Sequence, residues 1–120
     1  MTSQKPVGEV LHKELSGELG LPRLLHALKE LYAGDPPRHV LWDLRRGSLA
    51  GLTDQEMDQL KEFIKEHGKV RQGGKAAVVV SRDVDFGIAR MIQLSGEIFP
   101  FEVEVFRSMA EAEKWLAQAD

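Results

Sequence analysis

Ala76-Ala77-Val78-Val79-Val80 is the stretch that decides how this chain is read. It is the longest uninterrupted apolar run in the sequence. No polar residue alternates through it, so both of its faces must be covered, as in a sheet flanked by helices. The run therefore predicts an interior strand. Val40-Leu41-Trp42-Asp43-Leu44, upstream, is apolar on both faces apart from Asp43 and predicts a second central strand. Downstream, Phe101, Val103 and Val105 alternate with Glu102 and Glu104, the pattern of a strand with one wet face, at an edge. Near the start, Val7, Glu9, Leu11, Lys13 and Leu15 interleave apolar and charged residues and predict a half-buried first strand, closed by Ser16-Gly17.

Helical patterns fill the intervals. Leu21, Leu24, Leu25, Leu28, Leu31 and Tyr32 make one stripe, with Pro22 near the start and Gly34 and Asp35-Pro36-Pro37 at the end. Arg45 to Gly51 reads as a loop. Thr53 and Glu56 then form a capping box, with Leu52 placed to staple onto Met57. Met57, Leu60, Phe63 and Ile64 supply that helix's buried face; Gly68 ends it, and Gln72-Gly73-Gly74 makes the turn into the interior strand. A third helix is expected from about Val84 to Ile98, capped by Asp83. A last one follows Ser108 and Glu111, a second capping box, and buries Ala112, Trp115, Leu116 and Ala119. The order β-α-β-α-β-α-β-α predicts an α/β fold: a mostly parallel four- or five-stranded sheet with helices packed against it in two layers.

The 120 residues suit one domain, expected over residues 7–120 with a flexible tail at 1–6. A net charge of −3 disfavours nucleic acid as a partner, because phosphate neutralisation usually requires a basic surplus. The absence of cysteine removes disulfide scaffolds, thiol catalysis and Cys-based zinc sites. No secretory leader or membrane span is visible, which suits a cytoplasmic protein.

Few motifs carry chemistry. His12, His26, His39 and His67 show no metal-ligand spacing. Asp83, Asp85 and Gly87 resemble the opening of a calcium loop but lack its later ligands. Asp85-Phe86-Gly87 spells a kinase triplet without the rest of a kinase. Gly73-Gly74 precedes a strand and not a helix, so it is a turn and not a phosphate cradle. No enzyme, metal or cofactor is expected. Lys61, Lys65 and Lys69 share a helical column with Glu62 and Glu66 alongside, the pattern of a solvated face. Arg45-Arg46 follows a central strand, where parallel sheets gather their binding sites.

The third helix is the least ordinary element. Val84, Ile88, Met91, Ile92 and Ser95 form one stripe, while Phe86, Ala89 and Leu94 lie off it and Phe99 follows. The surplus apolar residues either enter the core or cover a partner or ligand. Phe86, Ala89, Arg90, Gln93, Leu94 and Phe99 are the candidate interface or ligand residues, with Arg90, Gln93 and Glu97 as a polar rim.

Three segments resemble the STAS family, the fold of bacterial anti-sigma-factor antagonists, and its STAS/Sec14-like relatives: Leu15-Ser16-Gly17-Glu18-Leu19, Val40-Leu41-Trp42-Asp43-Leu44, and Phe106 with Ala112 and Trp115-Leu116. The resemblance implies a mixed sheet, regulation through protein contact, sometimes nucleotide or lipid binding, and no catalysis. In antagonist members a serine in an Asp-Ser-Ser-Gly-like loop is phosphorylated. Here the stretch is Arg45-Arg46-Gly47-Ser48-Leu49-Ala50-Gly51, in which Ser48 is the sole hydroxyl and no acid precedes it, so efficient phosphorylation is not expected. Two readings remain: a regulatory interaction module whose partner is another protein or a second copy of the chain, and a carrier or sensor of a small apolar, lipid-like ligand.

Overall fold

The computed structural model describes residues 10–34, 38–71, 73–94 and 99–118. In chain order these form β1 (Val10–Glu14), β2 (Gly17–Glu18), α1 (Leu21–Ala33), β3 (His39–Asp43), β4 (Gly47–Ser48), α2 (Asp54–His67) with a 3-10 turn at Gly68–Arg71, β5 (Lys75–Val79), α3 (Asp83–Gln93), β6 (Glu102–Phe106) and α4 (Met109–Ala117). The expected tail, the Asp35-Pro36-Pro37 turn, Gln72, the 95–98 part of the third helix and Ala119 lie outside the described residues.

The main sheet has the order β1-β3-β5-β6 and every pair in it is parallel. The mixed sheet implied by the STAS resemblance is therefore not what the described strands form. Each successive strand is laid down beside the last, always in the same direction. Right-handed crossovers then put every connecting helix on one face of the sheet. The core follows this rule. Leu24, Ala27 and Leu31 of α1, Met57, Leu60 and Ile64 of α2, and Ala89 of α3 pack with Val40, Trp42 and Ala76. Among the described residues only α4 covers the opposite face, where Ala112 and Leu116 meet Leu41, Ala77 and Val79. The described helices thus divide three to one between the two layers.

Register explains the burial of each strand. Leu11, Val40, Ala76 and Val103 stand side by side across the sheet, as do Glu14, Asp43, Val79 and Phe106. In β1 the alternation that matters is between Leu11 and Lys13 on one face and Val10, His12 and Glu14 on the other. The odd-numbered residues from Val7 to Leu15 would all share a single face of an extended strand. His12 and Glu14 are exposed, while Val10 on the same face packs at the edge of the core that α4 closes. Lys75 is buried, and its ammonium donates to the carbonyls of Trp115 and Gln118 at 3.1 Å each. It satisfies the C-terminal carbonyls of α4 from beneath, the favourable place for a cation at a helix end, and lies 5.1 Å from the centre of the Trp115 ring.

Two expectations change. The stretch Arg45–Gly51 is not all loop: β4 pairs in parallel with β2 as a separate two-stranded ladder, through Gly17 N–H to Arg46 O and Leu19 N–H to Ser48 O. Two-residue strands carry no periodicity, so the sequence offered no signal for them. Gly17 takes a φ of +79°, and a Cβ on Gly47 would lie 2.6 Å from the Leu19 side chain, which is why glycine stands on both strands at the first rung of this ladder. Asp83 is not the cap of α3. Arg82 occupies that position, and Asp83, the first helical residue, pairs with Arg107 instead. The capping box of α2 is present with both of its bonds, and the Ser108 hydroxyl accepts from the Glu111 amide at the start of α4.

Candidate functional site

Because all four long strands run parallel, their carboxyl ends share one edge. That edge gathers Leu44–Arg46, Ser81–Asp83 and Arg107–Ser108, together with the start of α3. Of the four arginines on it, Arg45, Arg82 and Arg107 each pair with an acid. The Arg45 guanidinium grips the Asp43 carboxylate through Nε and Nη2, both at 2.9 Å, and the Arg45 amide adds a third bond. Arg82 Nε donates to Asp85 Oδ2 at 2.9 Å, and Arg107 pairs with Asp83. Ser81 donates to the Arg45 carbonyl. The Ser81 and Arg107 contacts join one strand exit to another, while the Arg45–Asp43 and Arg82–Asp85 pairs each close within one.

The Arg45 contact holds the Asp43 carboxyl below the ordinary carboxylate range, and burial opposes it less. A carboxyl whose folded pKa is depressed stabilises the fold above its unfolded value of about 3.9, and that contribution disappears as pH falls through the lower folded value. Asp43→Asn is therefore expected to melt earlier than the parent chain at neutral pH and to converge with it as the pH falls through that lowered folded value. Thermal melts at a series of pH values check this; a constant gap across the range would remove the ion pair as the cause.

Asp85 is the most informative residue of the edge. It is 1% exposed, and its Oδ1 accepts the Leu49 amide at 2.7 Å. A carboxylate on α3 thus anchors the Gly47–Ala50 segment, 36 residues earlier in the chain. The calcium-loop resemblance of Asp83, Asp85 and Gly87 dissolves here, since the two acids point to different partners. Among the described residues no group of three His, Asp or Glu side chains is placed to hold a metal ion. His12 and His26 line one shallow cleft between β1 and α1 with Glu30, which lies 3.3 Å from His26.

Asp85 also sets how α3 faces the sheet. Asp85 and Ala89 turn inward with Ile92, and the opposite side carries Val84 and Met91, each 48% exposed, and Leu94, 73% exposed. The stripe of Val84, Ile88, Met91 and Ile92 is therefore split: Ile88 and Ile92 pack against the core, while Val84 and Met91 are exposed. Among the candidates, Leu94 and Arg90 are exposed and Gln93 is half-buried, its side-chain amide bonded to Glu104. Phe86 is half-buried, with guanidinium carbons over its ring, Arg107 at 5.0 Å and Arg90 at 5.9 Å. Ala89 and Phe99 are buried and line an apolar cavity. Val84 and Met91 belong to the exposed row, and counting surplus apolar residues did not single them out. Ser48 is half-buried on β4, where its hydroxyl accepts the Ala50 amide.

The cavity lies between the sheet and α1–α3 and has a volume of about 110 Å³. Trp42, Ala76 and Val78 form its floor, and Leu24, Ile64 and Ile92 are among the helix residues above them. No helix among the described residues is long and apolar enough to cross a membrane. Comparison with protein families, with curated proteins and with solved structures finds no match to this chain.

Proposed function

We propose that the chain is a non-catalytic protein-interaction module, of the regulatory kind that the STAS resemblance implies, and that its working face is the outer side of α3. The observation that carries this reading is the exposed row of Val84, Met91 and Leu94 on one helix face. Large apolar side chains grouped on the surface of a small domain mark contact sites. The pairing of Arg45, Arg82 and Arg107 with acids at the sheet edge supports a binding role over a catalytic one.

The occupant that best suits this face is a second copy of the chain. Gly87 lies near the middle of the row, and a Cβ added there would meet nothing within 4 Å. A facing helix can therefore approach closely, since interaxial distance follows the side chains at the contact. Asp83 and Arg90, both exposed, flank the row on the same side. Flanking charges set partner orientation in paired helices. An antiparallel copy centred on Gly87 places Arg90 of each chain beside Asp83 of the other, where that exposed carboxylate, already paired with its own Arg107, can accept a second cation, a self-complementary two-fold arrangement.

Native mass spectrometry and sedimentation test this with a Met91→Ser, Leu94→Ser double variant. Self-association is expected to weaken by about tenfold or more, while the melting temperature moves by only a few degrees because the removed atoms are exposed. A parent chain that stays monomeric at about 1 mM, or a double variant that associates equally well, overturns the proposal.

A further inference from the structure

We propose that the cavity between the sheet and α1–α3 is a binding site for a small, neutral, apolar molecule about the size of one aromatic ring. Protein interiors are packed like organic crystals, with few voids larger than a water molecule. At about 110 Å³ this cavity has several times that space. Its wall carries no charged side chain, and its one side-chain hydroxyl is that of Tyr32. Water needs two to four polar partners to settle in such a space, and apolar cavities of this scale stay dry and admit benzene or xenon. The same chemistry excludes ions and sugars, which would lose their hydration without replacement. The volume also excludes a long acyl chain, which narrows the lipid-like class expected from the sequence to small hydrocarbons and simple aromatics. Ala89 and Ile92 bring the inner side of α3 to the cavity wall, so an occupant would touch the helix that bears the exposed row. The site itself does not depend on what docks on that row.

The probes are benzene, titrated into the methyl-labelled full chain, and xenon under pressure. The methyl resonances of Leu24, Ile64 and Ile92 are expected to shift together and saturate, and the melting temperature to rise with benzene concentration as a ligand of the native state requires. Ala27→Leu fills the space from α1 and is expected to weaken the benzene response by about tenfold. Linear, unsaturated shifts, or shifts confined to Val84, Met91 and Leu94 on the outer face, overturn the proposal. So does an unchanged response in a folded Ala27→Leu chain. If that variant fails to fold, the benzene and xenon titrations of the parent chain decide the matter alone.

Discussion

Val79→Asp is expected to abolish the cooperative fold. Val79 is 0% exposed and sits on an interior strand, between Asp43 of β3 and Phe106 of β6. Its side chain belongs to the small core that α4 closes, with Leu41, Ala77, Ala112 and Leu116 around it. None of these offers a hydrogen bond to a carboxylate. An unpaired buried charge costs several kcal/mol even after relaxation, against a total stability of about 5–15 kcal/mol for a domain. The replacement also deletes packing from the thinner of the two cores, where one helix does all the covering. Circular dichroism through a thermal ramp is the check. A variant that remains folded, with a melt near that of the parent, would show that β5 does not lie in the sheet interior.

Asp85→Ala is expected to destabilise the chain by about 3 kcal/mol, the usual cost of removing one partner from a buried charge-assisted network. The loss has two parts. The Leu49 amide loses its acceptor, and Arg82 loses the carboxylate that holds it at the start of α3. Asp85→Asn separates them, because its amide oxygen can still accept from Leu49 while the Arg82 ion pair is gone. About half of the destabilisation should return in that variant. Hydrogen exchange at the Leu49 amide gives the residue-specific readout: protection should fall sharply in the alanine variant and only modestly in the asparagine variant. Equal exchange in all three chains would mean that the Gly47–Ala50 segment is held by the β2–β4 ladder and not by Asp85.

These two residues mark the boundary between local and global information. The burial of Val79 follows from five consecutive apolar residues, a pattern that water alone can sort. The capping box at Thr53 and Glu56 was equally legible, since both of its bonds close within four residues. So was the α/β order, because alternating strand and helix patterns leave few arrangements of a parallel sheet.

The orientation of α3 was decided elsewhere. An 11-residue helix with apolar side chains on two sides has no single stripe to bury, and its periodicity alone does not separate Ile88 and Ile92, which pack on the core, from Val84 and Met91 of the same stripe, which are exposed. The folded chain turns Asp85 and Ala89 inward with Ile92. A carboxylate can occupy that buried position only because an amide from Leu49 and the Arg82 guanidinium meet it there. One of those partners is remote in sequence and arrives only when β3 and β5 pair and align their exits. The exposed row and the cavity on either side of α3 share this origin. Which side chains face the sheet, and how much space they leave beneath the helix, depends on the meeting of four elements. The sequence by itself determined the strands, the helices and their order through local patterning and local hydrogen bonds. Only the tertiary structure decided which face of α3 is free, because that choice rests on satisfying a buried charge across the fold.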